Sequence, residues 1–130
     1  MQARFDLIGF VVADMARSLA FYRALGMEIP AEADQQPHVD IELPGGPRFA
    51  WDTVEVIRSF DPDWQPSTGG PGVSIAFRVD TPADVDAAYK QLTAAGYDGH
   101  KEPWDAFWGQ RYATLRDPDG YGVDLFCPSR

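Results

Sequence analysis

The chain has 130 residues, 45% of them hydrophobic and 13% aromatic, enough to bury one compact core and too much for a disordered segment. With 11 Lys and Arg against 20 Asp and Glu, the formal charge is −9, which opposes the phosphate contacts that nucleic-acid binding depends on. No run approaches the roughly 18 uninterrupted apolar residues of a membrane helix, so neither nucleic acid nor a membrane is expected as a partner.

In chain order, Phe5 to Val12 reads as a first strand. Asp14 is placed to cap a helix over Met15 to Leu25, and Gly26 to stop it. Leu19, Tyr22 and Leu25 share one face of that helix. An irregular segment, Ile29 to Pro37, precedes an alternating strand over His38 to Leu43. Pro44-Gly45-Gly46-Pro47 is a hairpin signal, and Arg48 to Trp51 is the returning strand. The TVEVIRSF stretch suits a short helix, and the Pro- and Gly-dense residues 61–71 read as a connector.

The second half repeats the scheme. Val73 to Val79 is a strand, and Thr81-Pro82 opens a helix over Ala83 to Ala95 that stops at Gly96. A loop containing Lys101 to Trp108 leads to a strand over Gly109 to Arg116. The turn Asp117-Pro118-Asp119-Gly120 and a last strand, Tyr121 to Phe126, follow. Ile8 to Leu25 overlays Ile75 to Leu92 at a constant offset of 67, matching Ile8 to Ile75, Phe10 to Phe77, Val12 to Val79 and Tyr22 to Tyr89. The hairpins correspond at an offset of 74, with Gly46 on Gly120 and His38 on Tyr112. The fold class is therefore α+β: two pseudo-symmetric βαβββ modules, about 1–60 and 72–130, whose curved sheets wrap a cleft.

Chemistry-bearing signatures are few. No GxSxG elbow, P-loop or dinucleotide glycine pattern occurs, so no nucleophile–base pair is visible and no cofactor is expected. His38 and His100 lack acidic or imidazole partners at ligand spacing. Cys127 is the single cysteine, which precludes an intramolecular disulfide and fits a reducing cytoplasm. No basic stretch followed by an apolar core marks a secretion signal at the N-terminus. Four tryptophans are a high count, and Trp104 and Trp108 share a Pro-containing stretch at spacing four. Such rings can stack on a planar ligand. Trp108 directly precedes Gly109-Gln110 at the mouth of a strand, while Trp51, Phe49, Phe107 and Tyr112 are lesser cleft candidates. Gln110 or Arg111 offers a hydrogen bond to a ligand carbonyl.

Three segments in order, VVADMARSLAFYRALG, IAFRVDTPADV and RDPDGYGVDLF, resemble the glyoxalase/bleomycin-resistance/dioxygenase (vicinal oxygen chelate) superfamily, and the likeness runs from Phe5 to Phe126. PWDAFWGQRYATLRDPDG and IPAEADQQPHVD are most similar to the antibiotic-binding members that confer resistance to mitomycin- and bleomycin-type drugs. The resemblance implies a cytoplasmic homodimer with ligand clefts at the subunit interface. It also implies a planar drug sandwiched by His38 and Trp108, and the residues themselves add Trp104, Tyr112, Trp51 and either Gln110 or Arg111 as candidate contacts.

Enzymes of that superfamily hold a divalent metal through side chains that, by similarity, fall here at Leu7, Ala50, Ser74 and Asp124. One carboxylate among four positions cannot make a transition-metal site, which needs about three protein ligands. The expectation is a metal-free protein that sequesters a planar aromatic or quinone-like antibiotic. The alternative is a lyase- or isomerase-type enzyme of the same superfamily, with Asp124 as base or ligand.

Overall fold

The computed structural model describes residues 1–129. The chain divides into two compact units between Pro66 and Ser67. The first holds β1 (Leu7–Val12), α1 (Met15–Ala24), a 3-10 turn (Ala31–Gln35), β2 (His38–Ile41), β3 (Arg48–Thr53) and α2 (Val54–Phe60). Its three strands lie in the order β1-β3-β2, with β1 parallel and β2 antiparallel to the central β3. Asp14 caps α1 by accepting the Arg17 amide at 3.1 Å. Met15, Ser18, Leu19 and Tyr22, at helical i, i+3, i+4 and i+7 spacing, are all buried. Beneath them the alternate residues of the strands, Phe10, Val12, Val39, Phe49 and Trp51, complete an aromatic core. Trp51 is its centre, with ring centroids 5.4 Å from Tyr22, 5.9 Å from Phe49 and 6.1 Å from Phe10.

The second unit contains β4 (Ser74–Arg78), α3 (Pro82–Ala94), β5 (Asp98–Ala106), β6 (Gln110–Arg116) and β7 (Gly122–Pro128), a complete βαβββ module. Its sheet runs β4-β7-β6-β5, with β4 parallel to β7 and the remaining pairs antiparallel. A capping box opens α3: Thr81 accepts the Asp84 amide, Asp84 accepts the Thr81 amide, and Pro82 takes the first helical position. Val85 and Leu92 on α3 are buried, as are Ala113, Leu115, Val123, Leu125 and Cys127 on β6 and β7. The helix comes so close to β5 that a Cβ at Gly99 would collide with the Tyr89 ring and the Thr93 methyl, so a larger residue there would force those side chains to shift.

The two units share strand order and parallel pairing at the equivalent positions, as the repeat implies. They differ in one strand. The first unit has a 3-10 turn between α1 and β2, where the second places β5. The stretch containing Lys101 to Trp108, expected to be a loop, is largely strand. Its pairing with β6 shifts register between Gly99 and Lys101 and again between Lys101 and Trp104. Each shift moves side chains between faces, which erases the alternation that would mark a strand. Pro103 is tolerated because β5 is the edge of the sheet. Among the described residues no helix is long and apolar enough to cross a membrane.

Candidate functional site

The site that can be built from one unit lies on the sheet of the second, on the face turned away from α3. Register fixes its membership. Odd-numbered Ala113, Leu115, Val123 and Leu125 pack in the core, so their neighbours Gln110, Tyr112, Thr114, Asp124 and Phe126 project from the other side. Tyr112 lies opposite Phe126 on β7 and opposite Trp104 on β5, and Thr114 lies opposite Asp124. Ala76 and Ser74 of β4 extend the same face beside Asp124 and Gly122.

Four rings gather there. Trp104 and Trp108 approach Tyr112 edge-on at 5.5 and 5.4 Å, and they meet one another at 6.1 Å. Phe126 stacks on the remaining side of Tyr112 at 6.1 Å. Phe107 touches Trp108 but is almost fully exposed. Trp108 is 48% exposed, yet its indole is oriented by an Nε1–H bond of 2.8 Å to Gln110 Oε1. The Lys101 ammonium lies 4.6 Å above the Trp104 ring, a cation–π contact.

Beside the rings sits a polar cluster. Asp124 is 8% exposed, and its Oδ2 accepts the Tyr112 hydroxyl at 2.6 Å and the Ser74 hydroxyl at 3.3 Å. Withdrawn from solvent, it pairs with no arginine among the described residues. Burial raises the Tyr112 phenol, and the hydrogen bond to Asp124 and that carboxylate's charge add to the effect, so its pKa is pushed up to about 12. The folded state thus holds this proton more tightly than the unfolded chain, whose phenol titrates near the ordinary value of about 10. The stabilisation is fully present below about pH 10 and is lost as pH climbs from there to about 12. The tyrosinate absorbance of the protein minus that of Tyr112→Phe is expected to titrate near the upper value. A midpoint at the ordinary phenol value would refute the assignment.

The other anticipated residues have settings of their own. Arg111 points to the α3 side, where its guanidinium donates to Asp86 of that helix at 2.9 and 3.1 Å and pairs with Asp105 at 3.3 Å. Strand alternation therefore separates Arg111 from the ring cluster that its neighbours Gln110 and Tyr112 join. Trp51 is fully buried against Phe10, Tyr22 and Phe49, so it is a core residue and not a surface for ligand. His38 belongs to the first unit, half-exposed on a polar sheet face. Its Nδ1 bonds Asp52, its cross-strand partner, and its Nε2 lies 3.8 Å from Asp40. Arg48 bridges Asp40 and Asp6 on the same face. Gln110, Trp104, Trp108 and Tyr112 are the anticipated residues that come together. Ser74 and Asp124, two of the positions implied by the family resemblance, lie beside them, and Phe126 and Thr114 join unanticipated. Period-2 alternation carried through the Asp117–Gly120 turn would have found Phe126 and Thr114, because it sets them on the face of Tyr112 and Asp124.

The metal positions implied by family likeness do not fit a metal. In the first unit they are the hydrocarbon side chains of Leu7 and Ala50, and in the second they are Ser74 and Asp124, already bonded to each other. Among the described residues no three His, Cys, Asp or Glu side chains converge as ligands would.

The chain resembles solved structures over nearly its whole length. A glyoxalase/bleomycin resistance protein/dioxygenase family enzyme from Burkholderia phytofirmans PsJN is 22% identical, with 97% of this chain and 99% of that one covered and a TM-score of 0.80. A hypothetical protein from S. aureus is 24% identical over 98% and 94%, with a TM-score of 0.78. A glyoxalase/bleomycin resistance protein/dioxygenase from Nocardioides is 24% identical over 98% and 85%, with a TM-score of 0.73. At such identities these likenesses speak for the fold. No curated protein matches the chain. Residues 4–125 match the family pattern itself, and the chain belongs to the Glyoxalase/Bleomycin resistance protein/Dioxygenase superfamily.

Proposed function

We propose that the protein binds a planar aromatic small molecule without transforming it, in the manner of the drug-sequestering members of its superfamily. The observation that carries this reading is the gathering of Trp104, Trp108, Tyr112 and Phe126 on one sheet face beside the buried Asp124. Hydrophobic rings of this size normally serve the core, yet here Trp108 remains half-exposed and Phe107 almost wholly so. Indole faces grip flat ligands through stacking, at roughly 1–3 kcal/mol per ring by analogy with bases on aromatic platforms. The position that carries a metal ligand in catalytic kin holds a carboxylate tied to two hydroxyls, which suits a fixed polar wall better than a Lewis-acid centre. Ligands of the mitomycin and bleomycin type are the proposed cargo, and a homodimer is the proposed working form.

The test is a titration of a mitomycin and of a bleomycin against tryptophan fluorescence, with Trp108→Ala for comparison and recovery of the ligand afterwards. Micromolar quenching that weakens in the variant, with the ligand returned unchanged, supports sequestration. Absence of binding by either drug would end the reading. A second reading, an enzyme using Asp124 as a base, draws on that carboxylate's buried hydrogen-bonded seat. Recovery of a chemically altered ligand, abolished by Asp124→Asn, would favour it.

A further inference from the structure

The rings fall in one row across the sheet, and that row ends on a cation at each side. Register sets Arg78 of β4 across from Phe126, Phe126 across from Tyr112, and Tyr112 across from Trp104. Ile75 and Phe77 pair with the core residues Val123 and Leu125, so Ser74, Ala76 and Arg78 fall on the ring face, where all three are exposed. At the far end the Lys101 ammonium rests over Trp104. Arg116, a third cation of this face, stands across from Asp98, whose charge offsets it. Arg78 has no such neighbour. Its cross-strand partner is a phenyl ring, and its guanidinium forms no hydrogen bond or ion pair with another described residue. Asp124, inside the same face, is 8% exposed and has Oδ2 engaged by Tyr112 and Ser74, so it lies withdrawn from the surface on which a ligand would rest.

We infer that this face selects planar ligands carrying an anionic oxygen on the ring edge, a carboxylate or a phenolate, received by the Arg78 guanidinium while the rings lie against Phe126, Tyr112 and Trp108. The inference rests on the stacking function proposed above and narrows its ligand class. Strand spacing puts the Arg78 backbone about 5 Å from that of Phe126 and about 10 Å from that of Tyr112. A ligand of two or three fused rings over Phe126 and Tyr112 therefore brings its edge within reach of the arginine. The guanidinium is a planar fork of donors that matches two carboxylate oxygens at once, and a quinone carbonyl is a weaker acceptor of the same kind. Lys101 is the poorer receiver, because its ammonium already lies against an indole face. With Arg78 at one end of the row and Lys101 at the other, a cationic ligand is repelled from both. The overall charge of −9 opposes an anion at long range, but salt at about 0.1 M screens such fields beyond about 10 Å, inside which the guanidinium decides.

Three flat probes of one shape separate charge from stacking: 2-naphthoate, an anion; 2-naphthamide, its neutral counterpart; and 2-naphthylmethylammonium, a cation. Fluorescence or calorimetric titration at neutral pH and low salt is expected to rank 2-naphthoate about fivefold or more above 2-naphthamide, with the cation weakest. The preference should shrink as salt is raised. Arg78→Gln, at an exposed position, is expected to bring 2-naphthoate and 2-naphthamide within about twofold of each other, whereas Lys101→Gln keeps most of the gap. Equal binding of 2-naphthoate and 2-naphthamide by the unaltered protein overturns the inference and leaves the stacking function standing. A preference that survives Arg78→Gln overturns the assignment to that residue. Failure of all three probes to bind removes both the inference and the stacking function. The probe comparison needs no variant, so misfolding cannot obscure it.

Discussion

Trp51→Ala is expected to lower the unfolding free energy by about 3–5 kcal/mol, the range for emptying a large aromatic from a packed core. The indole is inaccessible to solvent and meets Phe10, Tyr22 and Phe49. Its removal strips contacts from three other rings at once, and β3, the central strand on which it sits, cannot move inward without losing pairing to both neighbours. Against a typical total of about 5–15 kcal/mol, the loss is large enough to read as a displaced urea midpoint. Trp51→Phe sharpens the test. The buried Nε1–H has no hydrogen-bond partner, so replacing indole by phenyl removes an unsatisfied donor along with some volume. The cost of Trp51→Phe should therefore be far smaller, and neither variant, where folded, should change affinity for a planar ligand. Tighter or weaker ligand binding by Trp51→Phe would put Trp51 back among the contacts.

The same residue shows where reading the chain alone stops. Strand alternation says that Trp51 shares a face with Phe49, and helix spacing says that Tyr22 lies below Leu19, but neither states which faces meet. The repeat conveyed more, because it required β3 and β7 to occupy equivalent central places, and both do. The capped helices were legible for local reasons: Asp14 and Thr81 satisfy free amides within one turn of chain. The strand β5 was not. Its two register shifts, its edge position and Pro103 depend on pairing with β6, a partner the local pattern does not name. The site follows the same division. Trp104, Trp108, Tyr112 and Gln110 were recognisable as ring and amide groups near one strand mouth, and they do cluster. Between Gln110 and Arg111 the sequence left the outward-facing donor open, and the fold settles it for Gln110. On a pleated strand, adjacency means opposite faces, and Asp86 on α3 holds Arg111 on the helix side.

The largest effect on ligand binding is expected from the two indoles together. Trp104→Ala and Trp108→Ala should each weaken a stacked planar probe by about 1–3 kcal/mol, or roughly fivefold to 150-fold in Kd. The double variant should lose less than the sum. The rings contact each other edge-to-face at 6.1 Å and both lean on Tyr112, so deleting either loosens the support of the other and part of the second loss is already incurred. Trp108 has a further tether through Gln110, whereas Trp104 is buttressed by Lys101 and by its place opposite Tyr112 in the ladder. Trp104→Ala should accordingly disturb Trp108 more than the reverse. The check is a thermodynamic cycle in Kd with 2-naphthoate or a mitomycin as the probe, run beside denaturant midpoints for all four proteins. Strict additivity of the two losses would mean that the indoles act on the ligand independently, and the single composite platform inferred from their contacts would have to be given up.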